Sequence, residues 1–316
     1  MKMFMNLILN EKIKIYRKKS SLLVFIALLL GVSFAAYIKN DAGDNSHSNW
    51  RKEVVQEIQV TKEALASTEG GQETELLEKK IAINEYRLEQ NTPPLADDTL
   101  WGFMSYTSSF IGIVTIFAII VAGSMISKEF NNGTIKFLLI RPHNRGMILL
   151  SKYIATLLYG LVLTAAVFII GLLMGSIFMG FAAPEDSYLV YANNEVVERN
   201  ILLHVITLYA MNSVGLIMMV TLAFMLSTAF RSTSVAIGIA IFLTMSGTIS
   251  IQLLSQFDLN IGKYLLFANT NLLQYSLDGP PFAGMSMSFS LLVLAVHYLV
   301  FMVITWLSFT KRDVAV

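Results

Sequence analysis

Six stretches of this chain are almost purely apolar, and each is long enough to cross a bilayer as a helix. They cover residues 21–38, 103–127, 148–181, 201–230, 234–254 and 287–309. A hydrocarbon core of about 30 Å takes roughly 20 residues of helix. Backbone groups in lipid must be hydrogen-bonded within their own segment, so these stretches read as helices. The third and fourth are longer than needed and are expected to tilt or to project beyond the lipid. None has a Lys, Arg, Asp or Glu in its central region. The pattern predicts an all-α polytopic membrane protein with six transmembrane helices.

The largest polar stretch, residues 39–102, has its own periodicity. Val54, Ile58, Thr61 and Leu65 recur at i, i+4, i+7 and i+11, as do Leu77, Ile81, Asn84 and Leu88. Each set lines one helix face. Between them lies Ser67-Thr-Glu-Gly-Gly71, a turn signal. Thr92-Pro93-Pro94 ends the second arm, since proline cannot continue a helix. Either an antiparallel helical hairpin or a solvated charged loop satisfies this pattern. The hairpin is the sharper expectation.

Shorter apolar pieces occupy 255–286, around Tyr264–Ala268 and Asn269–Leu273, before Gly279-Pro280-Pro281. They are too short to span and too apolar for a free loop. Short re-entrant helices and interfacial loop packing both account for them. Residues 182–200 read as a short acidic loop, with Glu185, Asp186, Glu195 and Glu198 against Arg199.

Charge orients the spans. Residues 1–20 hold six basic side chains against Glu11, and Lys128–Lys152 holds five against Glu129. Arg231 and the Lys311-Arg312 pair lie on the same side if each span crosses once. Lys and Arg favour the cytoplasmic side, so both termini are expected inside. The 39–102 insertion then lies outside. Its residues 40–100 hold six basic and thirteen acidic side chains, a balance of −7. The first apolar run is longer than a signal-peptide core, which favours an uncleaved anchor. Met3, Leu7, Ile8 and Ile15 among the N-terminal lysines predict an interfacial surface helix over 1–20. Overall the chain is 55% hydrophobic and 14% charged, with mean hydropathy +0.61. Soluble domains carry about 25% charged residues, so this composition belongs to membranes.

The polar stretch 128–147 is the most informative. Asn131-Asn132 can cap a short helix, and Thr134 can serve its free amides. Ile135, Leu138 and Leu139 form one apolar face, ended by Arg141 and Pro142. Such a helix either inserts its face into a partner or lies in the interface with its cations snorkelling.

Glu129, Gly133-Thr134, Leu138-Leu139, Pro142, Arg145 and Lys152 together resemble the permease subunits of ABC-2 type transporters, the type V exporters whose ATPase is usually a separate chain. The last span running into Phe309-Thr-Lys-Arg-Asp313-Val314 is similar to the end of such permeases. Within the class, the split arrangement and external insert look closest to permeases associated with antimicrobial-peptide resistance. The resemblance implies that Glu129, Gly133, Thr134, Leu138, Leu139, Pro142 and Arg145 form the coupling segment that contacts the ATPase. It implies a cytoplasmic ATPase dimer holding ATP and Mg, with no cofactor on this chain. It also implies a second permease subunit, identical or not. Membrane lipid is a partner, and nucleic acid is not.

No catalytic constellation stands out. The chain has no phosphate loop, no HExxH and no cysteine. His204 and His297 lie singly on spans, where a satisfied bundle histidine is the simpler reading. Gly171 and Gly175 permit close helix packing, within the subunit or between two. An exporter permease is the leading expectation. The alternatives are a device in which ATP work moves the external hairpin without transport, an intramembrane enzyme, and a scaffold.

Overall fold

The computed structural model describes residues 2–42, 49–68, 72–133, 144–181, 187–192, 195–257, 259–276 and 279–310. Six helices in it are long and apolar enough to cross a membrane. The first is α2 (Lys19–Ala42), preceded by a shorter α1 (Lys2–Tyr16). The second is broken into α5 (Leu100–Thr107), a 3-10 turn, α6 (Ile111–Met125) and α7 (Ser127–Asn131). It runs three residues further back, through buried Leu100, Trp101 and Gly102, and four further forward, where Lys128, Glu129 and Asn131 are polar but still helical. The ribbon below falls between the third, α8 (Arg145–Phe178), and the fourth, α9 (Ile201–Phe230). The fifth is α10 (Thr233–Gln256). A one-turn α11 (Leu266–Asn269) precedes the last, α12 (Met287–Thr310).

Helix α9 is the centre of the bundle. Its most apolar window is 61% buried, against 22–44% for the other five. It packs along α6 and α12 and also touches α8 and α10. The outer helices keep large apolar side chains exposed, such as Leu23, Leu30 and Phe34 on α2 and Phe242 and Met245 on α10. A stripe of that size in water would drive association. Facing acyl chains, it is the ordinary surface of a span. Gly171 and Gly175 resolve within the subunit. A Cβ on Gly175 would come within 2.8 Å of Leu100, and one on Gly171 within 3.0 Å of the Thr107 hydroxyl. Both glycines therefore let α8 approach α5.

The 39–102 insertion contains α3 (Trp50–Ser67) and α4 (Gln72–Gln90), packed together. Lys62 reaches Glu85 at 2.7 Å and Arg51 bonds Asn91, so the two run antiparallel. Val54, Ile58 and Thr61 are buried on one side and Asn84 on the other, which is the face that the periodicity marks. Helix α4 stops at Asn91, whose φ of 56° ends the helical run just before Thr92. Residues 69–71, with the Gly-Gly reversal, lie outside the described residues.

The all-α reading holds for the spans, with one local departure outside them. Part of the expected loop at 182–200 is a two-stranded antiparallel ribbon, β1 (Ser187–Ala192) and β2 (Glu195–Asn200), pairing Ser187 with Asn200. Tyr188 to Tyr191 and Val196-Val197 supply the aromatic and β-branched content that a ribbon needs. Helix α4 rests on this ribbon, and the Tyr86 hydroxyl bonds Glu198 at 3.3 Å. The insertion is therefore docked and does not stand alone. The following α9 is capped by Asn200, whose side chain accepts from the amides of Leu202 and Leu203.

Between α10 and α12, α11 lies between two 3-10 turns at Asn260–Tyr264 and Leu272–Tyr275. Fully buried Asn269 stitches them. Its amide donates to the Lys263 and Leu265 carbonyls and its oxygen accepts from Ser290 at 2.6 Å. One polar side chain thus satisfies backbone acceptors that such short helices leave open.

Candidate functional site

The chain between the second and third spans leaves α7 and re-enters at α8. Both shores of that gap are fastened. Ile126 and Ser127 lie where α6 breaks into α7, so their amides lose helical partners. Ser227 Oγ of α9 accepts from both, at 3.2 and 3.0 Å. The Ser127 hydroxyl meets Thr233 at 2.9 Å, and Asn131 donates to the same Thr233. Arg231 ends α9 with φ 54° and lays its guanidinium over Phe130, 4.5 Å from the ring centre. On the other shore, Arg145 donates to the Thr310 carbonyl at 3.4 Å, and Gly146 lies flat against Trp306, where a Cβ would fall 2.1 Å from the ring.

A buried cation joins the two shores. Lys152, in the second turn of α8, is 1% exposed. Its Nζ donates to Glu129 Oε1 on α7 at 3.0 Å and to Glu11 Oε2 on α1 at 2.9 Å. The other oxygen of Glu11 accepts from Lys14 at 2.8 Å. Helix α1 is held here by Ile8, Glu11 and Ile15, a buried stripe at helical spacing against α8. A buried ammonium is tolerated only when paired and hydrogen-bonded. One lysine therefore locks the N-terminal helix, the end of the second span and the start of the third into one arrangement.

Lys18 lies near the same cluster. Burial first, then the charges of Lys128 and Lys152, push its amine below the ordinary value of 10.5, against the pull of Glu11 and Glu129. At neutral pH the folded and unfolded chains both carry this proton, and the penalty is fully present. As pH rises through the lowered folded value, the folded chain sheds the proton first and stability increases until 10.5 is passed. Lys18→Met is therefore expected to be slightly more stable than wild type at pH 7, because Lys18 still reaches solvent. The gap should close towards pH 10. Thermal unfolding of both proteins in lipid nanodiscs checks this, and a gap that is absent at pH 7 or that widens with pH contradicts it.

Of the residues singled out by sequence, Glu129 and Arg145 stand at this junction. Gly133 adopts φ 67° just beyond α7, a conformation that favours glycine. Glu129 lies in the short helix α7, which ends at Asn131. Thr134, Leu138, Leu139 and Pro142 lie outside the described residues. Glu11, Ser227, Arg231 and Thr233 were not singled out as site residues. A lysine two turns into a long apolar span was the one available signal. Among the described residues, no group of three His, Asp or Glu could hold a metal ion. His297 bonds the Val293 carbonyl of its own helix, and His204 stacks on Tyr188.

These features define a multi-pass helical membrane protein. The chain belongs to the family described as "Protein of unknown function (DUF2705)", which it matches over residues 79–315. It is similar to the "Uncharacterized protein YhcI" of Bacillus subtilis (strain 168), 38% identical over 98% of this chain and 99% of that protein. The "Uncharacterized membrane protein YdbK" of the same organism is 33% identical over 70% of this chain and 85% of that protein.

Proposed function

We propose that this chain is the membrane subunit of an ATP-driven exporter in the bacterial plasma membrane, moved by a separate cytoplasmic ATPase dimer and paired with a second permease subunit. The observation that carries the reading is the buried Glu11–Lys152–Glu129 junction. A polar segment between two spans is an apt place to receive force only if both its ends are fixed to the bundle. Here α7 is tied to the α9–α10 turn, α8 is tied to α12, and Lys152 ties both to α1. A push on residues 132–144 then moves packed helices instead of being absorbed by a loose loop. In this reading α1 lies along the inner membrane surface, with exposed Met5, Leu9 and Ile13 against lipid. ATP and Mg stay on the ATPase.

A second reading has its own support. The hairpin rests on the ribbon that leads directly into the central helix α9, so movement of α9 displaces the hairpin. ATP work then repositions an external module and nothing crosses.

The test begins with orientation. Cysteines introduced singly at Asn144 and Ser67 are unique, since the native chain has none. An impermeant thiol reagent added to intact cells is expected to label position 67 only. Affinity purification is then expected to bring down an ATPase bearing a phosphate loop, and vesicles holding the complex to hydrolyse ATP. Transport into those vesicles separates the exporter from the mechanical device. Labelling at 144, or a preparation free of any ATPase, sinks both.

A further inference from the structure

At the end of the bundle away from Lys152, a cavity of ≈ 430 Å³ lies between α4, β1, the first turns of α9 and the residues Tyr275, Ser276, Gly279 and Pro280. That is within the range of small-ligand sites. Its lining is divided by chemistry. Among the described residues, Lys79, Lys80 and Arg199 line it with one carboxylate, Glu75, which already holds Lys79 at 2.7 Å. Residues 40–100 together carry −7, so this wall has the opposite sign to the module around it. The other wall is apolar, with Leu203, Leu208 and Met211 on α9. Leu203, in the first turn of a span, is 58% exposed, so the apolar wall is open on that side. Between the two walls stand Tyr188 and His204, rings parallel within 12° and centres 3.5 Å apart. Burial keeps the Tyr188 phenol protonated, a neutral donor at the polar edge, with Arg87 pulling weakly the other way.

We propose that this cavity binds an anionic amphiphile from the adjoining leaflet, its phosphate on Lys79, Lys80 and Arg199 and its hydrocarbon chain along Leu203 and Met211. Charge complementarity selects the head group, and the opening beside Leu203 admits the chain without withdrawing it from lipid. A zwitterionic lipid offers the same chain but gains no net attraction from the cations. Inorganic phosphate offers the charge but leaves the apolar wall empty. Binding needs neither an ATPase nor a particular orientation of the chain.

The cysteine-free background makes a local probe available. S276C places one thiol on the cavity rim for an environment-sensitive dye, in the full chain purified in detergent. Phosphatidylglycerol, phosphatidylcholine, hexadecyl phosphate and inorganic phosphate are titrated separately. Phosphatidylglycerol and hexadecyl phosphate are expected to saturate the dye response at concentrations roughly 25-fold below phosphatidylcholine, since each basic side chain near an anionic head adds about a factor of five and Glu75 offsets one of the three. Inorganic phosphate is expected to give no response. The variant K79Q/K80Q/R199Q, added to S276C, should bring both anionic probes to the phosphatidylcholine level. Its three sites keep some exposure and are not core positions, so folding is preserved, as an unchanged melting temperature verifies. Should it misfold, R199Q alone is expected to weaken phosphatidylglycerol several-fold. Equal responses to phosphatidylglycerol and phosphatidylcholine overturn the proposal. So does an anionic preference that survives the charge removal, or a response to inorganic phosphate as strong as that to the lipids.

Discussion

Lys152→Met is expected to lower the stability of the folded chain by about 3 kcal/mol, the lower end of what breaking a buried ion pair costs. The ammonium is 1% exposed, and its removal leaves Glu11 and Glu129 facing one another with side chains only 10% and 19% exposed. The lower end applies because Lys14 and residual solvent still serve Glu11. Glu129→Lys is expected to be as harmful, since it brings a second ammonium to Lys152. The informative companion is the triple variant Glu11→Gln, Glu129→Gln, Lys152→Met. Replacing a whole buried charge network is often close to neutral, whereas removing one member is not. It should therefore recover most of the loss in thermal unfolding. If the network also carries force, the triple variant will be stable yet uncoupled in ATP hydrolysis. A single Lys152→Met protein that melts with wild type would show that the junction is not a lock.

Gly102→Ala is expected to be comparably destructive for a different reason. A Cβ at Gly102 would fall 1.9 Å from the Ala96 carbonyl oxygen and 2.7 Å from its carbon. That neighbour is backbone and cannot rotate away. The same carbonyl accepts from the Thr99 amide and hydroxyl, and Thr99 in turn accepts from the Gly102 amide. One methyl group therefore displaces the whole return from the hairpin and uncaps α5. Overpacking and cap loss together amount to about 3 kcal/mol. Gly112→Ala is the control. Its Cβ meets nothing within 4 Å, and alanine favours the helix by up to about 1 kcal/mol. The two variants should move the unfolding temperature in opposite directions, and equal midpoints would refute the close approach.

The spans and the paired insertion helices were readable because their signal is local. The fourth span coincides with α9 at both ends, and the stripe of Val54, Ile58 and Thr61 is the buried face. The ribbon at Ser187–Asn200 was passed over because its glutamates read as a soluble loop, although Tyr188 to Tyr191 and Val196-Val197 carried a strand signal. The junction was only half legible. Glu129, Arg145 and Lys152 stood out, but Glu11, Ser227 and Thr233, which fasten the junction, did not.

What the sequence determined by itself is the number of spans, their approximate ends and the segregation of charge between the connecting segments. Each depends on the transfer of one stretch of chain from water to lipid, a sum over neighbouring residues. What only the tertiary structure decided is which polar groups meet. Glu11, Glu129 and Lys152 are separated by as many as 141 positions. Lys79 and Arg199 reach one cavity from an inserted helix and a ribbon. Whether a charge is solvated, locked or poised for a ligand depends on the dielectric and partners around it, and those are set by several chain segments packing at once.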